Sequence, residues 1–143
     1  MAYRANRNQQ MRFDDAVLNL TKREQGMLRG SWAAAFAEHV FSRINEDRFA
    51  VLYSQDAASR PNTPVNVVIG AMLLKQTYGL TDEEVVETIA FDIRWQEALH
   101  TTSFREQPFS DRTLSRFRER LLSYEEKTGE DLFKEEMESL AGL

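Results

Sequence analysis

The sequence predicts an all-α fold, a compact multi-helix domain with a helix-turn-helix-like core. Apolar residues recur at helical spacing along the chain, no run of β-branched residues alternates with period two for long enough to form a strand, and helix-start signals recur at intervals. With 143 residues, 42% of them hydrophobic and only 3 Pro and 6 Gly, the chain has enough apolar material for one core and no low-complexity character.

Residues 1–12 carry Arg4, Arg7 and Arg12 among Asn and Gln with little apolar content, which predicts a flexible basic arm. A helical domain is expected over 13–122. Its first helix, near 21–29, opens on Thr21 with Glu24 three residues on, the spacing of a capping box. Ser31 caps a second, near 31–44. Residues 53–63 (YSQDAASRPNT) are small and turn-forming, hence a loop. Thr63 then Pro64 fit N-cap and first helical position of a helix over 64–78. Its apolar residues at 65, 67–69 and 71–74 cover nearly every direction around the axis, so this helix is buried. Gly79 stops it, Leu80 folds back, and Thr81 with Glu84 starts a helix over 82–90. Helix, three-residue turn, helix is the spacing of a helix-turn-helix, and equally of a plain αα-corner. Further helices are expected near 92–100, 110–124 and 129–141, with Ser110 and Thr128 as caps; residues 123–143 form an acidic helix with Leu132, Phe133, Met137 and Leu140 on its packed side and a solvated acidic face.

A net charge of -5 conceals segregation. Residues 101–122 hold Arg105, Arg112, Arg116, Arg118 and Arg120, whereas the helix over 82–90 carries Asp82, Glu83, Glu84 and Glu87 with no Lys or Arg and would repel a polyanion. In SDRTLSRFRERLL, residues 110–122, Arg112, Arg116 and Arg120 fall on one stripe of a helix and Leu114, Phe117 and Leu121 on the opposite one. Ser110, Thr113 and Ser115 add hydroxyls near the amino end, where backbone N–H groups already favour phosphate. That is the makeup of a recognition helix: Arg can grip phosphate or fork onto guanine, and Ser or Thr can donate to either. On spacing alone the commoner outcome is a solvated face on which these Arg pair with Asp111, Glu119 and neighbouring carboxylates.

Other chemistry finds little purchase. Without Cys there is no disulfide, Cys-ligated zinc, iron–sulfur cluster or thiol nucleophile. The two histidines, His39 and His100, sit near no nucleophile motif, and His39 lacks the partner of a His-Glu-x-x-His site. The glycines are scattered singly, so no phosphate loop exists and no cofactor is expected. Trp32, Phe91, Trp95, Phe104 and Phe109 could form a stacking platform, but core packing is the expected use. The longest apolar run, residues 67–74, falls far short of the roughly 20 needed to span a bilayer. No membrane partner is expected, the amino end does not read as a secretory signal, and a cytoplasmic location is the default.

Three segments carry a resemblance: FAVLYS at 49–54, RPNTPVNVVIGAMLLKQTYGLTDEEVVETIAFDIRWQEAL at 60–99, and FSDRTLSRFRERL at 109–121. In that order and spacing the chain resembles the amino-terminal domain of insertion-sequence transposases of the DDE class. The resemblance implies a DNA-binding module for the element's terminal inverted repeats, with double-stranded DNA as partner and the binding residues at Ser110, Arg112, Thr113, Ser115 and Arg116, backed by Arg118 and Arg120. In such proteins this domain precedes an RNase H-like domain whose three carboxylates hold two Mg²⁺ ions for strand cleavage and transfer. No position here matches the first of those carboxylates, so the resemblance implies no catalytic residues in this chain, no metal site, and Mg²⁺ only in the missing domain toward which residues 123–143 lead. The alternative is a protein-interaction module that dimerises the transposase or docks its catalytic domain.

Overall fold

The computed structural model describes residues 2–6, 15–53 and 62–142. Its helices are α1 (Lys22–Arg29), α2 (Trp32–His39), α3 (Val65–Tyr78), α4 (Asp82–Phe91), α5 (Ile93–Ala98), α6 (Thr113–Thr128) and α7 (Leu132–Leu140), with 3-10 helices at Ala16–Asn19, Phe41–Arg43 and Glu46–Leu52. No strand occurs among the described residues, and the fold is all-α as the periodicity requires.

α3 is the centre. Val65, Val67, Val68, Ile69, Ala71 and Leu74 are all buried, which is why its sequence is apolar on every side. Gly70 lets the end of α5 approach it: a Cβ there would stand 2.6 Å from Leu99 Cδ2. Gly79 ends α3 in the left-handed conformation (φ 64°, ψ 37°), its N–H and that of Leu80 both donating to the Lys75 carbonyl. Thr81 then closes its capping box with Glu84 to begin α4, as Thr21 does with Glu24 to begin α1. The helix, turn, helix corner of the sequence is therefore present in the backbone.

Several boundaries differ from expectation. α2 ends at His39 rather than near residue 44, because the chain tightens into the 3-10 turn Phe41–Arg43. Three residues per turn puts Phe41 and Ile44 on one side, and both are buried. The same spacing in Glu46–Leu52, also unexpected, buries Phe49 at the Phe117 ring, 5.8 Å away between centroids. α3 is preceded by Pro64 without a side-chain cap, not by Thr63. α6 starts at Thr113, because Ser110 and Thr113 close a turn on each other ahead of it. It then continues unbroken past residue 122 to Thr128, and α7 is capped by Asp131, not Thr128.

The expected solvated face of the last helix is corrected at one residue. Glu136 is 1% exposed. Its Oε1 accepts the Asn45 N–H and its Oε2 the Arg48 Nε–H, both at 2.9 Å, while Arg48 Nη1 also reaches Glu135 at 3.3 Å. With Leu132 buried beside it, this pair fastens α7 to the Glu46–Leu52 turn. Core packing is likewise the wrong expectation for Phe91, which is 87% exposed at the end of α4, whereas Trp95 is buried as expected, with Tyr78 bridging it to Trp32.

Of the expected basic arm, residues 1 and 7–12 lie outside the described residues, as do 54–61 of the expected loop. Residues 2–6 are held against the body. Ala2 is buried and its carbonyl accepts the Asn62 N–H, Arg4 N–H donates to Asn62 Oδ1, and Tyr3 Oη donates to Asp47. No helix among the described residues is long and apolar enough to cross a membrane.

Candidate nucleic-acid interface

α6 is seated by the apolar stripe read from its sequence, with Leu114 and Phe117 buried and Leu121 packed against them. That leaves the Arg stripe facing outward at its amino-terminal end. Arg112 and Arg116 are exposed and form no ion pair among the described residues. The expected pairing with Asp111 and Glu119 does not form.

The other two arginines are used inside the fold. Arg118 forks onto Asp82 of α4, with Nη1–Oδ1 3.1 Å and Nη2–Oδ2 2.5 Å, and Lys75 approaches the same carboxylate at 3.8 Å. The Arg118 hydrogen bond holds the Asp82 carboxyl below its ordinary range, and the Asp82 carboxylate raises Arg118 in turn. Arg120 lies over the Tyr53 ring, 4.9 Å from its centroid, and donates to the Leu52 carbonyl at 3.3 Å. Burial pushes the Tyr53 hydroxyl up, and the Arg120 charge opposes that.

The hydroxyls have local partners as well. Thr113 Oγ1 accepts the Ser110 N–H at 2.8 Å and lies 3.2 Å from Ser110 Oγ, while Ser115 Oγ donates to the Arg112 carbonyl at 3.2 Å. These bonds fix the turn that leads into α6 and point its first residues in one direction.

A groove of about 710 Å³ runs beside this turn. It brings together Ser110, Thr113, Arg116 and Arg120 with Tyr53, Pro108 and Phe109 in its walls, and Glu106 at its edge. Arg112, Ser115 and Arg118 lie outside it. Tyr53 went unnoticed as a wall residue in the sequence, although it sits in the FAVLYS segment; only the pairing with Arg120, 67 positions away, reveals it. Gln107, also in the lining, donates through Nε2 to the Thr101 carbonyl at 3.0 Å and so ties the connection after α5 back on itself. Among the described residues no group of three or more His, Asp or Glu is placed to hold a metal ion.

The chain belongs to the transposase domain family DUF772, whose family model matches residues 29–120. That span takes in α2 to α5, the groove and the basic half of α6, and it ends at Arg120. No curated protein and no solved structure matches the chain.

Proposed function

We propose that this domain is the DNA-binding amino-terminal module of a bacterial insertion-sequence transposase of the DDE class, and that it recognises the element's terminal inverted repeats. The observation that carries the reading is the pair Arg112 and Arg116, exposed and without ion-pair partners among the described residues, at the amino end of a helix whose opposite face is locked into the core. A duplex laid along the groove would meet Arg116 first. Helix N–H groups and Arg112 then hold a phosphate, and Arg116 is free to grip a second or to fork onto a guanine. Arg118 and Arg120 serve the fold rather than the duplex, one tying α6 to α4 and the other lying over Tyr53 in the groove.

On this reading the helix-turn-helix corner of α3 and α4 is support rather than reader, because the acidic surface of α4 would repel phosphate. Cleavage and strand transfer, with their Mg²⁺, belong to a separate catalytic domain of the same protein, with which this domain assembles on bacterial DNA in the cytoplasm. The test compares Arg116→Ala with Arg118→Ala in fluorescence anisotropy on a duplex carrying the element's terminal repeat. Loss of affinity in the first with little change in the second is expected; equal affinity of Arg116→Ala and wild type would overturn the reading.

A further inference from the structure

Residues 2–6 are held by more of the fold than their sequence suggests. Buried Asn62 donates its backbone N–H to the Ala2 carbonyl at 2.9 Å, accepts the Arg4 N–H on Oδ1 at 2.5 Å, and donates through Nδ2 to the Thr63 carbonyl at 2.7 Å. Asn66, buried amid the apolar first turns of α3, accepts the Asn6 side-chain amide at 3.1 Å. Glu46 takes the Asn6 N–H and Asp47 the Tyr3 hydroxyl. A buried asparagine is costly unless its amide is satisfied, and residues 2–6 supply a partner at both positions. This seam runs beside the groove at the head of α6, since Thr63 and Tyr53 line that groove. The Tyr3 ring lies 6.2 Å from the Tyr53 ring between centroids, and the Arg120 guanidinium lies 4.9 Å from the same Tyr53 centroid. Tyr3, Tyr53 and Arg120 therefore connect the amino-terminal segment to α6. Arg4, next after Tyr3, is exposed and forms no ion pair among the described residues, although Glu46 and Asp47 hold its neighbours.

We propose that residues 2–6 are a built part of the nucleic-acid site, in which Arg4 holds a DNA phosphate in addition to those taken by Arg112 and Arg116, and Asn62 is the residue that positions it. The inference rests on the DNA-binding reading above and extends it to a cation outside α6 and outside the family-matched residues 29–120. The Arg4 backbone is fastened to the residue that precedes Thr63, so its long side chain starts one residue from the groove wall. Fastening also separates Arg4 from a cation on a free tail, because the cost of ordering its backbone is met before DNA arrives. In a chain of net charge -5, attraction for a polyanion depends on such locally placed cations. A phosphate contact carries no base information, so Arg4 adds affinity and register to the site and leaves sequence preference to α6.

The test is fluorescence anisotropy on a terminal-repeat duplex and a scrambled duplex across a salt series, comparing wild type with Arg4→Ala, Arg4→Lys, Arg23→Ala, Asn62→Ala and the double variant Asn62→Ala/Arg4→Ala. Expected for Arg4→Ala is a loss of roughly eightfold at about 0.1 M salt on both duplexes, the equivalent of one phosphate at a slope of about 0.9. Arg4→Lys, which keeps the charge, should retain the salt slope. Arg23, an exposed cation of α1 outside the groove lining, is the control, and its alanine variant should bind as wild type does. Because Asn62 acts through the placing of Arg4, the double variant should bind no more weakly than Asn62→Ala; full additivity would overturn the positioning role. Wild-type binding with Arg4→Ala unchanged, or an equal loss in Arg23→Ala, would overturn this inference and leave the DNA-binding reading standing. Absence of binding by the wild type would overturn that reading, and this inference with it.

Discussion

The four arginines at the head of α6 fall into two environments, Arg112 and Arg116 exposed without ion pairs among the described residues and Arg118 and Arg120 engaged by Asp82 and Tyr53, and the two pairs should answer differently to substitution. Arg112→Ala and Arg116→Ala should leave stability within about 0.5 kcal/mol, as expected for surface positions, while each weakens DNA binding and lowers the salt slope by about one. Anisotropy titrations across a salt series read both effects. Glu136 is the contrasting case, since truncation would strand Arg48 and the Asn45 N–H beneath α7. Glu136→Ala should cost about 3 kcal/mol, the lower end for breaking a buried pair because Arg48 keeps some solvent contact. Glu136→Gln, which preserves one acceptor, should cost less; urea denaturation distinguishes them. Glu136 was illegible in the sequence, where it is one acid of seven in residues 123–143. Its partner lies 88 positions away, and helical periodicity cannot report which acidic residue finds a distant guanidinium.

Elements were legible to the extent that their signals are local. The capping boxes at Thr21 and Thr81, the all-round apolar α3 and the Gly79 stop are written in adjacent residues, and they form as read. The 3-10 turns at Phe41–Arg43 and Glu46–Leu52 were not legible, because a period of three over so few residues leaves no pattern distinct from loop. The apolar seat of α6 was readable; the separation of Arg112 and Arg116 from Arg118 and Arg120 required knowing that Asp82 and Tyr53 lie within reach. Family membership extends the legible region upstream, since the match begins at Arg29, ahead of the Phe49 motif. At this scale the close approach of α3 and α5 makes a firm prediction. Gly70→Ala gains helix propensity of about 1 kcal/mol, but its Cβ would collide with the fully buried Leu99. Overpacking of that kind costs about 1–3 kcal/mol, so a net loss is expected in thermal unfolding, partly restored by Leu99→Val.

For the whole molecule, pH acts through a few buried groups. Burial holds the His100 imidazole below its ordinary value while the ring stacks on Phe41, so folding favours the neutral form. Its contribution is complete above about pH 6.5, the unfolded value, and is lost as pH falls toward the depressed folded value. Glu97 works oppositely: burial, reinforced by Asp15, raises its carboxyl, so its contribution is present below pH 4.5 and lost on going up. In this window His100 contributes a slope of at most about 1.4 kcal/mol per pH unit, and Glu97 opposes it as it deprotonates. His100→Asn, a residue that tolerates the positive φ of 56° found there, should flatten stability measured by urea denaturation from pH 7.5 to 5.5. The acidity of the chain bears on function at this scale too. A net charge of -5 offers DNA no bulk attraction, so on the proposed function any binding would have to come from the local cluster at the head of α6 and would weaken with salt. The most direct measurement is fluorescence anisotropy of the wild-type domain on a labelled duplex bearing the terminal repeat, against a scrambled duplex, over a series of salt concentrations. Tight binding that prefers the repeat and falls steeply with salt is the expected result; weak binding, or equal binding to both duplexes, would contradict recognition of transposon ends by this domain.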